Sequence, residues 1–292
     1  MAVYTSDNLI SAIERRSFAP ADQNAFTTAE VLALADESLL SVILPNIIKV
    51  REEYYVFNKT HTITANVSAY EIPSRAIGAI LRDVQIVDDN GRIRDVPRIE
   101  PENQVSTQTG SLMGYFIRDN KVILHQTPSS TTGTLRLPFF IQPGNLVLAA
   151  AGAVITAINT TTKVITVGSI PSTWITGNSF DLISCKGSHS YRDIDLVSTL
   201  VSGSNITLPS LPDDLVVGDY VNLAEESSLV QVPSPYRAVL AQDVAAEMIG
   251  AMNQPNADRA KAKALGLMQS AQGLITPRVR GSVRIVTPDL WF

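Results

Sequence analysis

Cysteine is nearly absent: Cys185 stands alone in 292 residues. No disulfide can form within the chain, and a reducing compartment, or assembly inside a cell, is the expected setting. Charge of one sign is lacking too. Lys and Arg number 23 against 28 Asp and Glu, a net charge of −5 with a pI of about 5.3. That balance lacks the basic footprint on which strong nucleic-acid binding rests. Long apolar runs are missing: "LVLAAAGAVITAI" (146–158) is well short of the roughly 20 residues that span a bilayer, so no membrane partner is expected. The opening "MAVYTSDNLI" has no basic stretch followed by an apolar one, so no signal peptide is expected. No Gly-rich phosphate loop occurs, and no cofactor is expected.

What is present suits a folded protein. Hydrophobic residues make up 45% and charged residues 17%, a globular rather than a disordered balance. The length allows one large domain or two or three small ones.

Periodicity divides the chain into zones. Residues 1–57 read as helical. Thr5 or Ser6 caps "TSDNLISAIERR", with Leu9, Ile10 and Ile13 on one face. In "TTAEVLALADESLLSVILPNIIKV", Thr27 and Glu30 have capping-box spacing, and Leu32, Leu39, Leu40, Ile43, Ile47 and Ile48 recur at helical intervals. Pro45 is expected to kink this helix, because it lacks an N–H and crowds the preceding turn. Residues 58–146 read as a β region rich in Thr, Val and Ile. "VDDNGRI" is its hairpin signal, since Asn90 and Gly91 tolerate positive φ. "KVILHQTP" reads as a further strand here, and "SYRDIDLVSTLV" (190–201) as one in the β-structure that continues to about 225.

An internal repeat occupies 147–226. "VITVGSIPSTWITGNSFDL" (164–182) lies over "NITLPSLPDDLVVGDYVNL" (205–223), a shift of 41 (206 − 165). Ile165 matches Ile206, Pro171 matches Pro212, and Gly177 matches Gly218. Each unit reads as strand, Pro turn, Gly turn, strand. Two units can close a small barrel or sandwich by pairing with each other, because each alone leaves unpaired edges.

Residues 227–273 are helical again. Ser234 is read as cap, Pro235 as the first helical residue, and Val239, Leu240, Val244, Met248, Ile249 and Met252 as the apolar face. A second helix is expected to bury Leu265, Met268 and Ala271 and to stop at Gly273. The two helical zones bury their stripes most simply against each other. The expected fold is therefore α+β: an antiparallel helical bundle of N- and C-terminal segments, an inserted all-β region with a barrel- or sandwich-like subdomain at 147–226, and an extended tail at 274–292.

Catalytic and metal constellations are weak. Ser188, His189, Asp193 and Asp195 are the residue types of a nucleophile, base and orienter, but neighbours along one strand face opposite ways. Asp181, Cys185 and His189 have helical metal spacing within a strand context and supply three ligands where structural zinc takes four. "DDNG" (88–91) lacks the later glutamate of a calcium loop. His61 and His125 are isolated. Arg15, Arg16 and the charges of 47–55 suit solvated helix faces or subunit salt bridges.

The tail carries the clearest interaction signal. Arg278, Arg280 and Arg284 alternate with Val279, Val283 and Ile285, and Trp291 and Phe292 close the chain. Such a two-faced strand can add to the edge of another chain's sheet, with the aromatics as anchors. Docking back on the chain's own β domain is the alternative.

"FTTAEVLALADESLLSVILPNIIKVREEYYV", "YEIPSRAIGAILRDVQIVDDNGRIRDVPRIEPEN", "LPSLPDDLVVGDYVNLAEES" and "PYRAVLAQDVAAEMIGAMNQPNADRAKAKA" together resemble head-to-tail adaptor proteins of tailed bacteriophages. The resemblance implies a virion component assembled in the host cytoplasm. It implies a homo-oligomeric ring, typically of about twelve copies, beneath the portal, joined below to a neck or tail protein. Genomic DNA would pass through without sequence-specific contacts. It also places Arg278, Val279, Arg280, Val283, Arg284, Ile285, Trp291 and Phe292 where such adaptors reach into the portal. No enzymatic activity is expected. Two readings stand beside it: a tail-tube, tail-terminator or baseplate component, and a virion hydrolase. The hydrolase needs separated carboxylates, whereas Glu225 and Glu226, and Asp213 and Asp214, are adjacent.

Overall fold

The computed structural model describes residues 3–17, 25–99, 114–129, 131, 133–252 and 256–276. These residues form a mixed α+β structure with several antiparallel sheets, none of them closed into a barrel.

Helix α1 (Ser6–Ser17) begins where Thr5 and Asn8 cap each other: the Thr5 N–H donates to Asn8 Oδ1 at 3.1 Å and the Asn8 N–H to Thr5 Oγ1 at 3.4 Å. Helix α2 (Thr28–Ser38) carries the expected capping box between Thr27 and Glu30. Pro45 is accommodated by a π-helical turn, Leu39–Ile43, just before it, in which the Leu44 N–H reaches back to the Leu39 carbonyl. The widened turn gives the proline ring room without ending the helix, which continues as α3 (Leu44–Val50). The run Thr28–Val50 is long and apolar enough to cross a membrane, by length and composition alone. Its Leu32, Ala35, Leu39, Ile43 and Ile47 lie in a core shared with the C-terminal helices.

Helix α4 (Ser234–Ala251) sits at the centre of that core, with Tyr236, Leu240, Val244 and Met248 fully buried. Its cap position is Pro233 rather than Ser234, and Pro235 is the second helical residue. Helix α5 (Ala257–Ile275) packs along α4 through Ala264, Met268, Ala271 and Ile275. Leu265, expected inside, is 56% exposed: Ala264, one position earlier, takes the buried stripe. Gly273 does not stop the helix. A helical glycine costs only about 1 kcal/mol, and the buried Ile275 beyond it offers about 1.5–3 kcal/mol. Helix α5 therefore runs on through Ile275, two residues past the expected stop at Gly273.

The middle β region starts inside the zone read as helical, at β1 (Val56–Thr62). A five-stranded sheet runs β1-β8-β4-β5, with β3 also on β8; these strands are β3 (Ala76–Leu81), β4 (Gln85–Val87), β5 (Ile93–Asp95) and β8 (Thr134–Ile141). β2 (Ala69–Glu71), β7 (Lys121–Leu124) and β6 (Tyr115–Arg118) form a second sheet. The "DDNG" signal is the β4–β5 turn, with Gly91 at φ +77 and Asp88 Oδ1 accepting the Asn90 and Arg92 N–H groups. The turn spans 88–92, longer than a two-residue hairpin loop.

β9 (Asn145–Leu146) pairs in parallel with β17 (Glu226–Ser227) at the foot of the repeat region. The repeat itself forms one seven-stranded sheet, β13-β12-β16-β10-β11-β15-β14. Its strands are β10 (Ala153–Asn159), β11 (Val164–Val167), β12 (Ser179–Ile183), β13 (Tyr191–Val197), β14 (Leu200–Ser202), β15 (Asn205–Thr207) and β16 (Tyr220–Leu223). β10 serves two halves, joining β16 in one and β11 in the other across a register shift at Ile155/Ala157. Equivalent strands of the two repeat units pair with each other. Ile165 faces Ile206 in β11/β15, and Asp181 faces Asn222 in β12/β16. Both pairings are antiparallel, so an approximate two-fold axis passes through each. The turns match as well: Asn178 Oδ1 accepts the Ile175 N–H, and Asp219 Oδ2, 41 positions on, accepts the Val216 N–H. Trp174 and Leu215 both fill the shared core. The barrel alternative is not what forms: β13 and β14 end the strand order without pairing, and Ser198–Thr199 carries the chain from one half to the other. The result is one open sheet in which the two repeat units share a core.

Candidate functional site

The residues assigned to portal binding, Arg278, Val279, Arg280, Val283, Arg284, Ile285, Trp291 and Phe292, lie outside the described residues. The structure does place their root. Ile275 is buried, the Thr276 hydroxyl donates to the Gln272 carbonyl at 2.7 Å, and Gln272 Nε2 donates to Asn46 Oδ1 on α3 at 2.9 Å. The chain thus leaves α5 beside α3.

Of the residues weighed for chemistry, Asp181, His189 and the Asp195 backbone join a largely buried polar junction between the helices, the middle β region and the seven-stranded sheet. Arg75, in the turn before β3, is 4% exposed. Its Nη1 donates to Asp181 Oδ2 at 2.5 Å and its Nη2 to the Tyr191 hydroxyl at 2.6 Å, and its guanidinium lies 4.7 Å from the Tyr191 ring centroid. Asp181, on β12, also accepts the Asp195 N–H at 3.0 Å and the Glu225 N–H at 3.2 Å. Burial pushes this carboxyl up, and Arg75 works against that push. Asn222, its equivalent in the second unit, meets Ser228 instead. The approximate symmetry is broken where Arg75 enters.

A second arginine reaches the same segment from α4. Arg237 Nη2 lies 2.9 Å from His189 Nε2 and donates to the Gly187 carbonyl at 3.2 Å, while its guanidinium stacks 4.9 Å from the Tyr4 ring centroid. His189 Nδ1 faces the Ser184 carbonyl at 3.0 Å. A ring between a carbonyl and a guanidinium is neutral, with its proton on Nδ1; burial holds its pKa below the usual value. Gln231 links the units further, accepting the Gly144 N–H, donating to the His189 carbonyl, and receiving the Tyr55 hydroxyl on its own carbonyl. His189 and Asp181 are therefore engaged in structural contacts rather than arranged about a shared metal position. Among the described residues no three His, Cys, Asp or Glu side chains gather as metal ligands.

The other carboxylates are dispersed. Asp214 and Asp219 both pair with Arg192. Asp88 Oδ1 holds its own turn and Asp89 Oδ1 accepts the Gly133 N–H of the segment before β8, so both "DDNG" acids are engaged by backbone. Arg15 and Arg16 bond carbonyls of their own helix, Arg51 pairs with Glu53, and Glu52 pairs with Arg82. A cleft of about 420 Å³ opens between β1, β2 and β13, lined by Lys59, His61, Glu71, Lys121 and Asp195 among others. Its charges are mixed, with Lys121 and Glu71 3.5 Å apart.

Sequence reasoning missed Arg75, Tyr191 and Gln231. The one available signal was an arginine amid the apolar "YEIPSRAIGAIL". The buried Arg75 and the half-buried Arg237 each meet more than one acceptor and so tie segments distant in sequence together. No protein-family model matches the chain, and no curated protein sequence matches it.

Proposed function

We propose that this protein is a structural component of a tailed-bacteriophage virion, a head-to-tail adaptor. In this reading about twelve copies form a closed ring that binds the portal through the C-terminal tail, extends the DNA channel and offers a platform to the next neck or tail protein. The helices of the two chain ends form the antiparallel bundle, and the β units are inserted between them.

One observation carries the reading. The helices from the two ends of the chain, which hold two of the adaptor-like segments, bury a single common core, and α5 ends at Ile275 beside α3. In this reading the residues that follow are the portal-binding segment. The mild net charge of −5 suits a conduit, since a basic wall would bind phosphates and retard the duplex.

The test is removal of residues 277–292, which spares the buried Ile275. The shortened protein is expected to keep its helical content and to lose binding to purified portal rings, seen by electron microscopy of the mixture. Undiminished binding would refute the docking role of the tail.

A further inference from the structure

The approximate two-fold axis of the seven-stranded sheet relates two of its turns. The turns that precede β12 and β16 are equivalent, with Gly177 at φ +93 and Gly218 at φ +97. Because β12 and β16 pair antiparallel, with Phe180 opposite Leu223 and Ile183 opposite Tyr220, the two turns sit at opposite ends of the module. Each end is held alike: the Gly177 N–H donates to the Ser198 carbonyl and the Gly218 N–H to the Ile155 carbonyl. Each also shows apolar side chains to solvent. At the first end Ile175 is 63% and Val197 53% exposed; at the second Val216 is 36%, Val217 60% and Val154 38% exposed. Val197 and Val154 correspond, each standing just before the residue that receives the glycine N–H.

We propose that these two ends are the contacts between neighbouring copies of this chain, the first end of one copy meeting the second end of the next. The proposal rests on the ring reading above and names the surface that builds the ring. Three observations select a second copy as the occupant. First, a motif repeated at both ends of one module meets a near-duplicate of itself in such a junction, so a fit achieved once recurs at every junction. Second, the contact is head-to-tail, and a head-to-tail contact leaves no free end once its rotation closes. Third, charge permits approach there. Residues 170–179 and 197–205 contain no ionisable side chain, and at the second end Asp214 and Asp219 pair with Arg192. Copies carrying −5 each repel elsewhere, whereas here Arg192 offsets one of the Asp214 and Asp219 charges, and the acidic remainder with Asp213 faces an uncharged surface rather than a like charge.

The experiment uses the full chain in two forms, Ile175→Glu/Val197→Glu and Val216→Glu/Val217→Glu, with mass photometry for assembly and far-UV dichroism for folding. Wild type is expected to assemble, and each variant alone to be folded and monomeric. An equimolar mixture is expected to give a one-to-one dimer, because the intact second end of the former still meets the intact first end of the latter. Should the Val197 change disturb β13, Ile175→Glu alone carries the same expectation. Variants that assemble like wild type would overturn the proposed contact and leave the ring reading standing. A variant that dimerises alone would show like ends meeting and would also overturn it. Wild type that stays monomeric with and without portal rings would remove the ring reading and this contact with it.

Discussion

The Arg75–Asp181 pair joins the middle β region to the seven-stranded sheet at the point where the repeat's symmetry is broken. Arg75→Met keeps most of the side-chain volume and removes the cation. Asp181, with no solvent exposure, would then keep only the Asp195 and Glu225 N–H groups as donors. Removing one partner of a buried pair costs about 3–5 kcal/mol, mainly because the other charge is left uncompensated. Asp181→Asn is milder. It leaves Arg75 with the Tyr191 hydroxyl at 2.6 Å and with Asp195 at 3.7 Å. The double variant Arg75→Met/Asp181→Asn leaves no buried charge and is expected to lose less than the sum of the two, with a coupling of about 1–3 kcal/mol. Urea unfolding followed at Trp174, inside the core of the repeat region, measures this in a Trp291→Phe background, where Trp174 is the only one of the two tryptophans left. Additivity within about 0.5 kcal/mol, or a loss for Arg75→Met below about 1 kcal/mol where 3–5 is expected, would refute the claim that this ion pair holds the junction.

Asp36 supplies a pH test. Burial pushes its carboxyl up to about 6, although both oxygens lie 3.0 Å from the Leu146 N–H. The folded state therefore binds a proton more tightly than the unfolded chain, and this group's contribution to stability falls as pH rises from about 4 to about 6. Asp36→Asn keeps an acceptor for Leu146. It should flatten that fall and be more stable than wild type at pH 7, with little difference at pH 4; parallel pH profiles would count against the assignment. The repeat makes a separate prediction. Gly177→Ala and Gly218→Ala each put a side chain at positive φ, at +93 and +97, with no atom closer than 3.8 Å to the added carbon. Each should cost about 1–2 kcal/mol of left-handed strain, and the two melting shifts should match; a large difference would deny their equivalence.

Parts of this structure were legible because they are local or duplicated. The Thr27–Glu30 box lies within one turn and needs no tertiary partner. The 41-residue repeat was visible as matched residues, and the pairing of equivalent strands follows from their need to satisfy each other's edges. Other readings failed where a neighbour decides. Leu265 and Ala264 fit the helical period about equally, and only α4's position selects Ala264. Ser234 is a good cap by type, yet the extended Pro233 takes that position. Pro45 was expected to bend the helix; the disruption appears as the π turn at Leu39–Ile43.

The sequence by itself determined the helical ends, the β middle, the duplicated unit and the alternating arginine and valine pattern of the tail. Each is written in residue order, as a period, a cap or a repeat. Only the tertiary structure decided which face of α5 is buried, that the repeat's sheet stays open rather than closing into a barrel, and that Arg75 meets Asp181, 106 positions away. Hydrophobic periodicity specifies a stripe but not what covers it, and a buried charge finds its partner only after packing has brought distant segments together.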